Sequence, residues 1–206
     1  MRNILITLTG ISGSGKSTVL KRLEDEYDYH KVITCTTRDP RPADNEQHGV
    51  DYYFLSKEDF KEQVKQDRFV ENEEFDGNHY GTRWSEIENK HTLPIAILEP
   101  NGAKNIKEIL KDKNYEVINV FIDCPPELAI ERITKRDASK PERLEKRLKS
   151  IQTKESDWHE RDYDLRVPPT GDIDLINKKI TEAIIDFRKK ESIENKQAVK
   201  SKQKLK

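Results

Sequence analysis

The chain reads as an α/β fold in which a parallel β-sheet is flanked by helices and interrupted by a smaller β-rich segment. Three observations lead there. An apolar run, NILITLT at Asn3–Thr9, feeds a glycine–serine loop and then a helical pattern. From Pro94 onward, β-branched apolar runs alternate with segments of helical period, the order of βαβ units. Between about 34 and 86 the pattern changes to short strands, turns and prolines, the mark of an insertion.

Each element has its own signal. Asn3–Thr9 is short, β-branched and bounded by glycine, as a strand buried on both faces must be. Val19, Leu20 and Leu23 share one helical face and predict a helix over Lys16–Glu26. His30–Cys35 predicts a second strand, which opens into the polar TTRDPRPADNEQHG. Ser56 with Asp59 resembles a capping box, and Phe60 and Val64 continue one face behind it. FVENEEF and NHYGTRW, joined by Asp76-Gly77, predict a β-hairpin, because Asp-Gly supplies the positive φ angles of a tight turn.

Strands are then predicted at Pro94–Leu98, Tyr115–Ile122 (YEVINVFI) and Tyr163–Val167. Helices are predicted at Ala103–Leu110, from Pro125-Pro126 to Arg136, from beyond Glu142 to His159, and at Ile173–Phe187. Proline opens the second of these without penalty, since the first-turn N–H has no helical partner. Asp137–Glu142 is a polar break. The stretch 189–206 holds seven lysines against two glutamates and little apolar surface, and is expected to be a disordered basic tail.

At 206 residues the chain can bury one good core carrying small inserted subdomains. It is polar, with 33% hydrophobic and 37% charged residues, yet 38 basic side chains nearly cancel 39 acidic ones. That balance argues against a general attraction to nucleic acid or membrane, so any anion site must be local. Cys35 and Cys124 are far apart with no metal-ligand spacing, and read as reduced, inert thiols. Neither a signal segment nor an apolar run of bilayer length is evident, so a soluble, cytoplasmic protein is expected.

The chemistry begins at Gly10. Gly10, Gly15, Lys16 and Ser17 match G-x-x-x-x-G-K-[ST], between a predicted strand and a predicted helix. Glycines let backbone N–H groups turn inward as a nest for phosphate oxygens, and the helix N-terminus adds partial positive charge. Lys16 would reach the β- and γ-phosphates, and the Ser17 hydroxyl would ligate Mg²⁺. Alone, this P-loop predicts a nucleoside triphosphate site and says nothing of the reaction. A second anion site is predicted at TTRDPR, where Arg38 and Arg41 flank a stiffening proline and offer two guanidinium forks. Tyr52 and Tyr80 would add phenolic donors. A triphosphate in one site and a second phosphate in the other is what a nucleotide kinase requires.

T-T-R-x-P-R, followed by Glu46, Gly49, Asp51, Tyr52 and Phe54 as E-x-x-G-x-D-Y-x-F, then Phe69–Glu71 as F-V-E and Tyr80–Thr82 as Y-G-T, resembles the guanylate kinase family over about Asn3 to Phe187. The resemblance implies a P-loop NTPase-type CORE at 1–33 and 87–188, a GMP-binding insertion at 34–86 and a helical LID at 134–147. It implies phosphorylation of GMP and dGMP by ATP with Mg²⁺, in a monomer or homodimer with no specific nucleic-acid partner. By the same resemblance, Gly10, Ser12, Gly13, Ser14, Gly15, Lys16, Ser17 and Thr18 would hold ATP. Arg38, Arg41, Tyr52 and Tyr80 would hold the acceptor phosphate, braced by Glu46. Glu71, Thr34 and Thr82 would read guanine, with Glu99 nearby, and Lys16, Arg38, Arg132, Arg136 and Arg147 would neutralise the transferring phosphoryl group.

The base assignment has a physical basis, since guanine's adjacent N1–H and N2–H suit one carboxylate and its O6 suits a hydroxyl. Adenine presents an acceptor at N1 and would leave a buried mismatch of about 1–3 kcal/mol.

Three stretches depart from the family pattern. Pro42–Asn45 lengthens the link from Arg41 to Glu46, Ile97 and Glu99 stand where the family has D-x-D, and Pro168-Pro169 replace N-D after the last strand. The first bears on how Glu46 braces the arginines, and the second and third imply looser base and donor choice. Two other readings follow from the same residues: a broader (deoxy)nucleoside monophosphate or sugar-phosphate kinase, and a phosphopeptide-binding module of the same fold, against which the intact Lys16 and Ser17 argue.

Overall fold

A computed structural model describes residues 2–41, 45–75, 77–88, 92–153, 155–169 and 172–204, with side chains up to residue 193 except that of Phe75. In chain order the elements are β1 (Asn3–Thr9), α1 (Lys16–Glu26), β2 (Tyr29–Lys31), β3 (Cys35–Thr36), β4 (Tyr53–Phe54), α2 (Lys57–Lys65), β5 (Phe69–Phe75), β6 (Asn78–Arg83) and α3 (Trp84–Ile87). They continue as β7 (Leu93–Ile97), α4 (Pro100–Leu110), β8 (Tyr115–Ile122), α5 (Pro126–Asp137), α6 (Pro141–Thr153), a 3-10 turn (Trp158–Glu160), β9 (Leu165–Val167) and α7 (Ile173–Lys204).

A parallel sheet in the order β2-β7-β1-β8-β9 forms the body, as the alternating pattern predicts. β1 lies in its middle and sorts its side chains by parity. Ile4, Ile6 and Leu8 pack with Val19, Leu20 and Leu23 of α1 and Ile176 and Ile180 of α7. Leu5 packs on the other face with Ile106 and Leu110 of α4. Thr7 and Thr9 are fully buried among these neighbours, and their hydroxyls are satisfied: Thr7 Oγ1 donates to Asn119 Oδ1 at 2.7 Å and Thr9 Oγ1 to Val120 O at 3.1 Å. Each buried aliphatic side chain here stabilises the fold by about 1.5–3 kcal/mol.

The strand predicted over His30–Cys35 is two strands in two sheets. β2 stays in the parallel sheet, but the Ile33 N–H is taken by Glu86 Oε2 at 3.0 Å instead of a strand carbonyl. Tyr53 donates its hydroxyl to Glu86 Oε1 at 3.2 Å, so one carboxylate draws the chain out of the first sheet toward the second. That second sheet runs β4-β3-β6-β5 around a small core of Cys35, Phe60 and Phe69. Gly81 makes the core possible, because a Cβ there would lie 2.9 Å from the Phe69 ring and 3.1 Å from Phe60. Ser56 caps α2 as predicted, its Oγ accepting from Asp59 N at 3.0 Å. The β5–β6 hairpin forms, with Gly77 at φ 74°, while Asp76 lies outside the described residues.

Two further expectations change. The helix expected to reach His159 stops at Thr153, where Glu155 N bonds back to Ser150 O at 3.0 Å, and a 3-10 turn then buries Trp158. The tail expected to be disordered is helical to Lys204, continuing α7. No glycine or proline follows Gly171, and Lys, Glu, Gln and Ala are good helix formers, so nothing local stops it. The helix is also tied to the start of the chain: Arg2 N donates to Glu191 Oε1 at 2.9 Å and Arg188 NH1 to Arg2 O at 2.6 Å. Among the described residues no helix is long and apolar enough to cross a membrane.

Candidate active site

β1 ends at the carboxyl edge of the parallel sheet, where ligands of such sheets bind. There the chain turns through Gly10–Gly15 into α1, with Gly15 at φ 100° as the residue before the helix. Gly13, at φ 82°, is constrained twice over. A Cβ on it would sit 2.5 Å from Ala129 O and 2.8 Å from Ile133 Cγ2, so the loop is pressed directly against α5. A cleft of about 530 Å³ opens over this turn, walled by Ser12, Gly13, Ser14, Gly15, Lys16, Ser17 and Thr18 on one side and by Arg132, Arg136 and Arg147 on the other.

Lys16 folds back over the loop. Its Nζ donates to Gly10 O at 2.6 Å and Ile11 O at 3.1 Å. The protein packed around it lowers its pKa to about 8, against the pull of the Glu155 and Glu99 carboxylates, which favour the charged form. An arriving phosphate would supply the missing counter-charge. Arg132 spans the cleft floor, donating to Ser14 O at 3.4 Å and Pro169 O at 3.0 Å.

A second cleft of about 550 Å³ is lined by Thr34, Arg41, Glu46, Tyr52 and Ile97, whereas Arg38, Glu71, Tyr80, Thr82 and Glu99 are outside its lining. Arg38 grips Glu46 with both prongs, NH1 to Oε2 and NH2 to Oε1, each at 3.0 Å, and Arg41 N adds a bond to Oε2 at 2.7 Å. Burial works against the Glu46 charge, but these donors outweigh it and hold the carboxyl below its ordinary range. The Arg38 guanidinium lies 5.4 Å from the Tyr52 ring centroid, and Tyr52 packs edge-on to Tyr80 at 6.4 Å. Arg38, Glu46, Tyr52 and Tyr80 therefore form one cluster, although three residues of the linking loop, Pro42–Asp44, lie outside the described residues.

Glu71 and Thr82 face one another on β5 and β6, with Thr82 Oγ1 donating to Glu71 Oε1 at 2.6 Å. Burial pushes the Glu71 carboxyl up, against the Thr82 hydrogen bond. Thr34 lies where the chain crosses between sheets, its carbonyl accepting from Tyr53 N at 2.9 Å. Glu99 precedes α4 without capping it, and its charge bears on Lys16 in the first cleft.

The two clefts share a wall. Ser17, Arg136 and Arg147 line both. Two acidic residues that no motif singles out stand beside that wall. Glu155 is 7% exposed and accepts from Ser12 N at 2.5 Å and Ser150 Oγ at 2.9 Å, tying the P-loop to α6. Asp137 is 1% exposed and meets Arg136, Arg143 and Arg147. The only trace of Asp137 in the sequence is one acid set among many basic residues, and Glu155 leaves none.

The sequence pattern described as Guanylate kinase matches residues 2–186. A guanylate kinase of Prochlorococcus marinus (strain MIT 9312) is 39% identical over 166 residues, 78% of this chain and 87% of that protein. One of Rickettsia bellii (strain RML369-C) is 33% identical over 195 residues, 92% of this chain and 97% of its relative. The crystal structure of guanylate kinase from Anaplasma phagocytophilum, 23% identical, shares the fold with a TM-score of 0.57 over 90% of this chain and 86% of its own. With two clefts meeting at an arginine-lined wall, and relatives of this identity over most of their length, the chain belongs to the guanylate kinase family.

Proposed function

We propose that the chain transfers the terminal phosphoryl group of ATP to GMP and dGMP, reversibly, as a Mg²⁺-dependent enzyme of cytoplasmic purine nucleotide metabolism. The observation that carries this reading is the shared wall: Ser17, Arg136 and Arg147 line both clefts, so a donor phosphate in one and an acceptor phosphate in the other would meet at the same cations. The CORE holds the donor, the 34–86 insertion holds the acceptor, and the 134–147 segment at the junction of α5 and α6 serves as the LID.

Phosphoryl transfer asks little covalent chemistry of a protein and much positioning and charge. The loop N–H groups between Gly10 and Thr18 orient the donor phosphates, and Lys16 exchanges its two carbonyl partners for them. The Arg38 fork, held by Glu46, and Arg41 fix the acceptor phosphate with Tyr52 and Tyr80. Glu71, Thr82 and Thr34 select guanine. Arg132, Arg136 and Arg147 take up charge on the phosphoryl group in flight. The attacking phosphate oxygen is already anionic near pH 7, so no side chain need act as base.

Mg²⁺ suits this corner. Ser17 offers a hydroxyl where the clefts meet. With that hydroxyl and phosphate oxygens as ligands, the ion would have the hard oxygen surroundings it prefers and would supply positive charge beside the phosphates.

The test is ADP release with GMP, dGMP, AMP, CMP, UMP and dTMP offered in turn. Turnover confined to GMP and dGMP is expected. Equal rates would sink guanine selectivity and favour the broader kinase, a reading to which Ile97 in the acceptor cleft lends weight. No turnover with any acceptor would sink the enzyme reading and leave the binding module.

A further inference from the structure

Asp137 ends α5, and its side chain is only 2% exposed. Three guanidinium groups close on it. Arg136 Nε lies 3.2 Å from Oδ1, while Arg147 NH1 and Arg143 Nε lie 3.2 and 3.4 Å from Oδ2. Oδ2 is buried without a hydrogen bond, and the two ion pairs meet its charge there. The carboxylate is fixed at its base as well, because Asp137 O accepts from Lys140 N at 2.8 Å and closes the turn between α5 and α6.

The location gives the cluster its meaning. Asp137 and Arg143 line the acceptor cleft, and Arg136 and Arg147 line both clefts. The arginines come from two helices and carry like charge, so without a counter-ion they would repel one another out of the junction. Arginine is long and rotamer-rich, and a guanidinium in free solution points nowhere in particular. One short, buried carboxylate gives all three a common point of aim, and leaves two positive charges in excess for incoming phosphates.

We propose that Asp137 is a positioning residue for phosphoryl transfer, holding Arg136, Arg143 and Arg147 at the junction of the donor and acceptor clefts. The proposal rests on reading Arg136 and Arg147 as cations of the transfer step, and it adds Arg143 to their number. Asp137 touches no reacting atom and acts through the arginines.

The test is a double-mutant cycle of Asp137→Asn and Arg147→Gln, with kcat counted per site titrated by a non-hydrolysable ATP analogue. Asp137→Asn is expected to lower kcat about 10- to 100-fold, with both KM values within about threefold of the parent, because misaimed cations affect the transfer step more than ground-state binding. The double variant is expected to be no slower than the slower single one. If Arg147→Gln leaves kcat unchanged, the underlying reading of the arginines fails. If Arg147→Gln slows the enzyme while Asp137→Asn stays within about twofold of the parent, or the two effects multiply, the positioning role is overturned. Asp137→Ser serves the same cycle if the asparagine variant does not fold.

Discussion

The donor and acceptor halves of the molecule are built from different materials. The donor cleft is a turn of backbone on the edge of a buried parallel sheet, with Gly13 wedged against the Ala129 carbonyl. The acceptor cleft is walled by long side chains from loops and helices, Arg41, Glu46, Tyr52 and Arg143 among them, with Arg38 paired to Glu46 at its rim and Glu71 paired to Thr82 on the second sheet. A backbone cradle recognises what every triphosphate has in common. Side chains facing a base can tell one base from another. Affinity for phosphate and choice of nucleotide are thus placed in separate parts of the chain, and they should fail separately.

Substituting Lys16 is the severest way to break the comparison. Lys16→Ala should lower kcat about a thousandfold by removing a cation from the phosphates. Steady-state kinetics read that loss, and calorimetry should find GMP affinity changed by no more than about twofold. Loss of GMP binding in this variant would mean that the halves are not separate. Glu71→Gln is the matching test on the other side. It should lower kcat/KM for GMP about 10- to 100-fold by turning an acceptor toward guanine into a donor, while leaving the KM for ATP nearly unchanged. An unaltered GMP specificity constant would remove Glu71 from the base site.

The gentlest probe is pH, because each half holds one group shifted toward neutrality. Burial lowers the Lys16 pKa to about 8, so kcat/KM for ATP should fall as pH rises through that value. Glu71, pushed up by burial, takes a proton above the ordinary carboxylate range, so kcat/KM for GMP should fall as pH drops toward it. The two limbs belong to different substrates. Glu71→Gln should leave in the acid limb only the titration of the GMP phosphate itself, at about pH 6, and leave the alkaline limb unchanged. A single profile common to both substrates would contradict the division.

The same contrast governs what the sequence reveals. β1, α1 and β8 have the bounds expected from their apolar patterns, because a central strand and its packed helix obey local periodicity. The P-loop is equally legible, since its chemistry lies within eight consecutive residues. What stays hidden is long in range. Glu86 splits a predicted strand from 53 residues away, and Glu155 reaches Ser12 across 143. Asp137 looks like one more charge on a polar break until two helices bring their arginines around it. The helical tail was hidden for another reason: its composition suits helix as well as disorder, and the contact with Arg2 lies outside any local window.

That contact bears on how the molecule is made. Arg2 leads into the strand at the centre of the sheet, and its backbone is held by Arg188 and Glu191, from which it is separated by as many as 189 positions. On the ribosome the central strand emerges well before α7, and its entrance stays open until α7 has been synthesised and can dock. Closing so long a loop is entropically demanding and comes late. The central strand of the nascent chain is thus secured at its near end by residues made much later.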